Sequence, residues 1–186
     1  METNYTSQSD FNLEKLIFGL KHEDDRNLRM TKTMQRVMWV FAPVYFLIFL
    51  VDISFRDVSL KHFEFLLFAL GFLSFALIFR YLSKDYKLVD YGVPTVEMLT
   101  KAARRYKFFQ KKSLLIIVPV LFMSTALSFG MQEVIPHPDM FIRILIVQVI
   151  YVFVTFLAVL VGYFIWRVRQ KPLRDKALEL LKEIEG

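Results

Sequence analysis

The chain has 186 residues, 55% of them hydrophobic, with twenty phenylalanines and a net charge of +6, a balance unlike that of an ordinary soluble domain. It contains no cysteine, which excludes disulfides, thiol redox chemistry, cysteine-ligated zinc, iron–sulfur clusters and lipid attachment through a cysteine. Its apolar residues gather in four runs, Val37–Phe55, Phe63–Phe79, Leu114–Phe129 and Ile144–Trp166, each near the roughly 20 residues a helix needs to cross hydrocarbon.

Residues 1–36 form a polar, mixed-charge tail ahead of the first run. Asp10 suits the N-cap of an amphipathic helix carrying Leu13, Leu16, Ile17 and Leu20 on one face. The acidic His22-Glu23-Asp24-Asp25 stretch reads as the end of that helix and the start of the next. An apolar run that begins this late is not a secretory signal, so it is expected to stay as a membrane anchor. Residues 56–62 join it to the second run over a short distance, and 37–82 is therefore predicted to be a transmembrane hairpin. Asp52 and Glu64 lie near the far ends of these two spans, where pairing with Arg56 and Lys61 is expected.

The segment 83–113 is basic. Pro94 suits the first turn of a helix with Val96, Leu99, Ala103 and Tyr106 along one stripe. Lys101, Arg104, Arg105, Lys107, Lys111 and Lys112 then follow with no acidic residue among them. Such a run suits an anionic membrane surface, where each cation contributes about 1 kcal/mol, and these six residues are the expected lipid-headgroup site.

Residues 114–166 are predicted to form a second hairpin, joined through Pro136-His137-Pro138, which cannot be helical throughout. Small residues inside it, Ser124, Thr125, Ser128, Thr155, Ala158 and Gly162, allow close helix approach, and Ser124, Thr125, Ser128, Gln148 and Thr155 are the polar residues that a channel would turn to its cavity. The tail 167–186 is expected to start a helix near Pro172. Its charges are balanced in sign, which favours a protein partner over lipid, and Leu173, Leu180, Leu181 and Ile184 form the expected partner-helix face. Packing of the three amphipathic helices on one another is the competing expectation.

Of the 24 Lys and Arg residues, 21 lie in the N-terminal tail, the middle segment and the C-terminal tail. Cationic segments resist translocation, so these three segments are expected to share the cytoplasmic side of a plasma membrane, the inner one in a bacterium. The fold expected is all-α: a polytopic four-transmembrane-helix bundle of two antiparallel hairpins, with short cytoplasmic amphipathic helices. Trp39 and Trp166 sit at the inner ends of their spans, as an aromatic belt requires. The halves also share a faint repeat, with Pro43-Val44 and Phe46 matched by Pro119-Val120 and Phe122.

Motifs for chemistry are scarce. The sequence has no Gly-rich phosphate loop, nucleophile elbow or HExxH. His62, Glu64, His137 and Asp139 supply imidazoles and carboxylates to the outer side, but their spacing matches no metal motif, so no metal or cofactor is assigned. The chain is therefore expected to be no enzyme. The function expected is a non-catalytic anchor, assembly or regulatory protein working through its cytoplasmic helices. The bilayer's anionic headgroups, a cytoplasmic or membrane protein, and other copies of the chain are its expected partners; nucleic acid is not. A small oligomeric channel or transporter subunit is the alternative.

Overall fold

The computed structural model describes residues 3–55, 63–87, 89–131 and 134–185, with side chains for those from 13 to 184. They form α1 (Thr3–Phe55), α2 (Phe63–Lys87), α3 (Thr95–Arg105), α4 (Ile117–Gly130), α5 (Met140–Ile165) and α6 (Lys171–Glu185). Among the described residues there is no strand. Four stretches, within Leu13–Phe55, Phe63–Lys87, Lys111–Gly130 and Met140–Ile184, are long and apolar enough to cross a membrane. The chain is thus an all-helical, multi-pass, membrane-embedded protein.

Two compact units emerge from the packing. The first, here the polar unit, comprises Met1–Met30, Ser83–Gln110 and Val161–Gly186; the second, the apolar unit, comprises Thr31–Leu82 and Lys111–Leu160. In the polar unit Leu16 and Leu20 of α1, Met98, Leu99 and Ala102 of α3, Tyr106, and Ala177, Leu180 and Leu181 of α6 make one buried core. Their spacings of three and four residues place each set on one helix face. Leu13, Ile17, Tyr91, Val93 and Leu173 pack around it. Gly19 lets α6 come close, since a Cβ there would lie 3.0 Å from the Leu173 side chain.

Two expectations about these helices are corrected. α1 already runs from Thr3, so Asp10 lies inside it rather than at its N-cap. The helix also continues through His22-Glu23-Asp24-Asp25 without a break. Acids in a helix interior destabilise when unpaired, but Glu23 pairs with Arg26 one turn on at 2.6 Å, and Asp24 is satisfied by donors from other segments. At the C-terminal end no break precedes Pro172. A π-helical turn, Trp166–Gln170, joins α5 directly to α6, and the Lys171 N–H bonds back to the Trp166 carbonyl. Pro172 has no N–H to continue the regular ladder, and the wider turn immediately before it absorbs that loss.

In the apolar unit α1 and α2 share a ladder of rings. Phe41 stacks on Phe72 (5.2 Å between centroids), Tyr45 meets Phe68 and Phe72 (5.3 and 5.1 Å), and Phe49 meets Phe63 (6.2 Å). α4 and α5 are joined through Gln148, whose amide donates to the Ser124 carbonyl (3.0 Å) and to Ser128 Oγ while accepting from Ser124 Oγ (2.6 Å). Tyr151 donates to the Val120 carbonyl at 2.9 Å. In hydrocarbon such bonds hold helices together because water is absent. The two matched prolines differ in role: Pro43 lies deep inside α1, whereas Pro119 is in the first turn of α4, just after a 3-10 turn, Lys111–Ile116. There its missing N–H goes unneeded.

The polar-unit core gives a direct prediction. Leu99→Ala should cost this unit about 2–5 kcal/mol through lost packing and a residual cavity. Hydrogen exchange should then show faster exchange at amides 98–106, while Val96→Ala, at an exposed position of the same helix, should leave their protection unchanged.

Candidate functional site

The centre of the polar unit is a carboxylate. Asp24 is almost fully buried, four residues beyond Leu20 on the inward stripe of α1. Arg105, at the end of α3, grips it side-on: Nη2 donates to Oδ2 at 2.7 Å and Nε to Oδ1 at 3.2 Å. The Tyr91 hydroxyl donates to Oδ2 and the Tyr106 hydroxyl to Oδ1, each at 2.5 Å. Both oxygens therefore have two donors, from three residues spread over the 91–106 region. The Arg105 and Asp24 side chains are only 14% and 3% exposed. Burial, reinforced by the charge of Asp24 and its hydrogen bonds, raises both tyrosine hydroxyls far above their ordinary range. They stay protonated and keep donating.

Around this centre lie further polar contacts. Glu23 and Asn27 are also buried. Burial pushes the Glu23 carboxyl above its ordinary value, opposed by the charge of Arg169 and a hydrogen bond from Gln170. The turn after α3 is closed by Gln110, whose amide donates to the Arg105 carbonyl, and by the Trp166 indole N–H, which donates to the Tyr106 carbonyl at 2.8 Å. The Phe108 ring lies against Tyr163 (5.3 Å) and Trp166 (5.1 Å), and Arg174 covers the Trp166 ring at 5.4 Å.

The expected site residues are distributed unevenly. Of the basic run, Arg104, Lys107 and Lys111 are exposed. Lys101 is paired with Glu97 at 2.6 Å. Lys112 lies over the Tyr81 ring at 5.3 Å. Arg105 departs from the rest, because its guanidinium is committed to Asp24 and its side chain is only 14% exposed. The expected partner-helix face is also largely used within the chain. Leu180 and Leu181 are buried in the polar-unit core and Leu173 packs against it, whereas Ile184 remains 51% exposed. Of the patch expected on the outer side, His62 lies outside the described residues. His137 and Asp139 serve their own loop: the Asp139 N–H donates to His137 Nδ1 (3.1 Å), and Asp139 Oδ1 accepts from the Phe141 N–H (2.8 Å), capping α5. Glu64 lies against Gly130, where a Cβ would collide with its carboxylate. Among the described residues no group of three or more His, Asp or Glu is arranged to hold a metal ion.

Sequence reasoning missed Asp24, Tyr91 and the second role of Tyr106. The signal was present: Leu13, Leu16, Leu20, Asp24 and Asn27 recur at intervals of three and four, so the apolar stripe of α1 runs straight into an acid. The arrangement is chemically closed. Both Asp24 oxygens are occupied by internal donors, leaving the carboxylate no lone pair directed at a substrate. Comparison with family models, with curated proteins and with solved structures found no match.

Two outcomes test this centre. Asp24→Asn should destabilise the polar unit by about 3–5 kcal/mol, because it leaves the Arg105 charge buried without its counter-charge. In thermal unfolding the double variant Asp24→Asn with Arg105→Gln should recover part of that loss. Glu23 gives a pH dependence. Its carboxyl is raised in the folded state, so folding takes up a proton between the ordinary carboxylate value and the raised one. Stability from this group is therefore fully present below that window and falls as pH rises through it. Melting curves across mildly acidic pH should show this decline, and Glu23→Gln should flatten it.

Proposed function

We propose that this is a non-catalytic integral protein of a plasma membrane, the inner one if the cell is bacterial, serving as an anchor, assembly or regulatory protein through a cytoplasmic helical unit. Residues 37–82 and 114–166 are two antiparallel transmembrane hairpins, and both termini are cytoplasmic. One observation carries the reading. The three segments that hold 21 of the 24 cations are, within a few residues, the three that make up the polar unit. Segments buried in one core must lie on one side of a bilayer, so packing and the charge asymmetry point the same way independently.

The order of the contacts supports the hairpins. Along α1 the ring partners of Phe41, Tyr45 and Phe49 descend from Phe72 through Phe68 to Phe63. In α4, Ser128 and Ser124 meet Gln148 while Val120 meets Tyr151, again in opposite order. Of the polar residues that a channel would need at its lining, Ser124, Thr125, Ser128, Gln148 and Thr155, the serines and Gln148 satisfy one another and Thr125 donates to the Leu121 carbonyl of its own helix. That favours helix packing over a conduit. Solute or ion flux into proteoliposomes above that of empty vesicles would instead favour the channel or transporter subunit.

Topology reporters test the reading. A fluorescent reporter fused after Gly186 should fold and fluoresce, and alkaline phosphatase inserted at Pro136-His137-Pro138 should be active. A C-terminal phosphatase fusion that is active would overturn the orientation.

A further inference from the structure

The turn after α3 presents a ring that the polar unit leaves outside. Phe108 and Phe109 are adjacent, yet they differ in packing. Phe108 packs against Tyr163 and Trp166 and is 39% exposed, whereas Phe109 is 68% exposed. The turn is held firmly beneath it by the bonds from Gln110 and Trp166. Exposure of Phe109 is therefore built into an ordered turn.

Its level in a bilayer follows from its neighbours. Tyr163 and Trp166 close the apolar run Ile144–Trp166, and Phe109 stands two residues before Lys111, where the apolar stretch Lys111–Gly130 begins. Both markers fall at the end of a span, where aromatic side chains sit among headgroups. The surrounding charge is cationic. Arg104 and Lys107 are exposed, and the Lys107 N–H bonds back to the Arg104 carbonyl, folding the two into one turn. Arg167, also exposed, follows Trp166, whose ring is 5.1 Å from that of Phe108. No acidic residue lies between Lys101 and Lys112.

The geometry points to an anionic-phospholipid site: Phe109 enters the headgroup region of the adjacent leaflet as a wedge, and Arg104, Lys107 and Arg167 hold phospholipid phosphates around it. A ring inserted among glycerol and acyl-chain ends loses contact with water. The guanidinium groups present forked donors that match phosphate oxygens. A lysine on a flexible stem supplies a third charge that reaches out along the surface. Arg105 has no part in this site, because Asp24 holds it inside. The site rests on the reading of the apolar runs as spans, and the test separates the two.

Since the chain has no cysteine, single labels are clean. Phe109→Cys and, in separate chains, Val152→Cys in mid-α5 and Glu179→Cys on α6 would carry spin labels in the full-length protein. Each would be reconstituted in nanodiscs of phosphatidylcholine alone or mixed with phosphatidylglycerol. Power saturation compares collisions with oxygen and with an aqueous nickel chelate. The label at 109 should read near the interface and shift inward when phosphatidylglycerol is added. In the background Arg104→Gln, Lys107→Gln and Arg167→Gln that shift should be lost. The label at 152 should read deep in hydrocarbon, and the label at 179 should read aqueous, with either lipid. A label at 109 that reads as aqueous as 179, or whose depth ignores phosphatidylglycerol, overturns the wedge while a deep 152 leaves the span intact. An aqueous reading at 152 overturns both.

Discussion

Taking a carboxylate out of water is unfavourable by several kcal/mol unless the lost hydration is replaced in full. Asp24 meets that condition with Arg105, Tyr91 and Tyr106, and meets it with nothing from its own helix among the bonds described. The packing of the polar unit hangs on this requirement. Leucines on α1 could settle against α3 and α6 in several registers at similar gain, because burial is not directional. The carboxylate cannot: only a setting of α1 that brings it beneath the guanidinium and both hydroxyls avoids an orphaned charge. The ion pair thus adds selectivity to a core whose bulk stability comes from Leu16, Leu20, Leu99, Tyr106, Leu180 and Leu181.

A second constraint, apolar burial, explains why the unit is made from three distant pieces of chain. Each amphipathic segment is short of apolar surface by itself. α3 spans only Thr95–Arg105 and α6 only Lys171–Glu185, lengths at which isolated helices are marginal in water. Together they bury one another's stripes, and the polar contacts at Glu23, Asn27 and Trp166 close the rim. The apolar unit follows a different rule. Its helices expose large side chains such as Leu47, Phe153 and Phe156, which suits a lipid solvent, and the polar contacts that join α4 to α5 are the Gln148 cluster and the bond from Tyr151 to the Val120 carbonyl.

Helix class and the four apolar runs were legible in the sequence because hydropathy over about 20 residues is a strong, local signal. Periodicity also revealed the stripes of Leu13–Leu20, of Leu99 and Tyr106, and of Leu173–Ile184. It could not reveal what those stripes face, since a leucine face that meets a partner and one that meets another part of the chain look the same in one dimension. The His22–Asp25 stretch was misjudged for a related reason. Acids favour helix starts when their partners are local backbone N–H groups, but the partners of Asp24 lie 67 to 82 residues away. Arg105 was hidden in the same way, grouped by sequence with five cations whose side chains do not share its environment. The Phe109 turn was masked by composition, because a phenylalanine beside a cluster of cations gives no sign of which of two adjacent rings packs on other rings and which is left further exposed.

The central claim is that the N-terminal, middle and C-terminal charged segments converge in one folded unit on one side of the membrane. Gly19 and Leu173 offer the most direct measurement, since α1 and α6 approach there to within 3.0 Å of a would-be Cβ. In the otherwise cysteine-free chain, Gly19→Cys with Leu173→Cys should be joined by a short thiol crosslinker in native membranes. Cleavage between the helices should then leave the N- and C-terminal fragments linked within a single chain. Fragments that separate, although each single cysteine reacts with maleimide, would contradict the account.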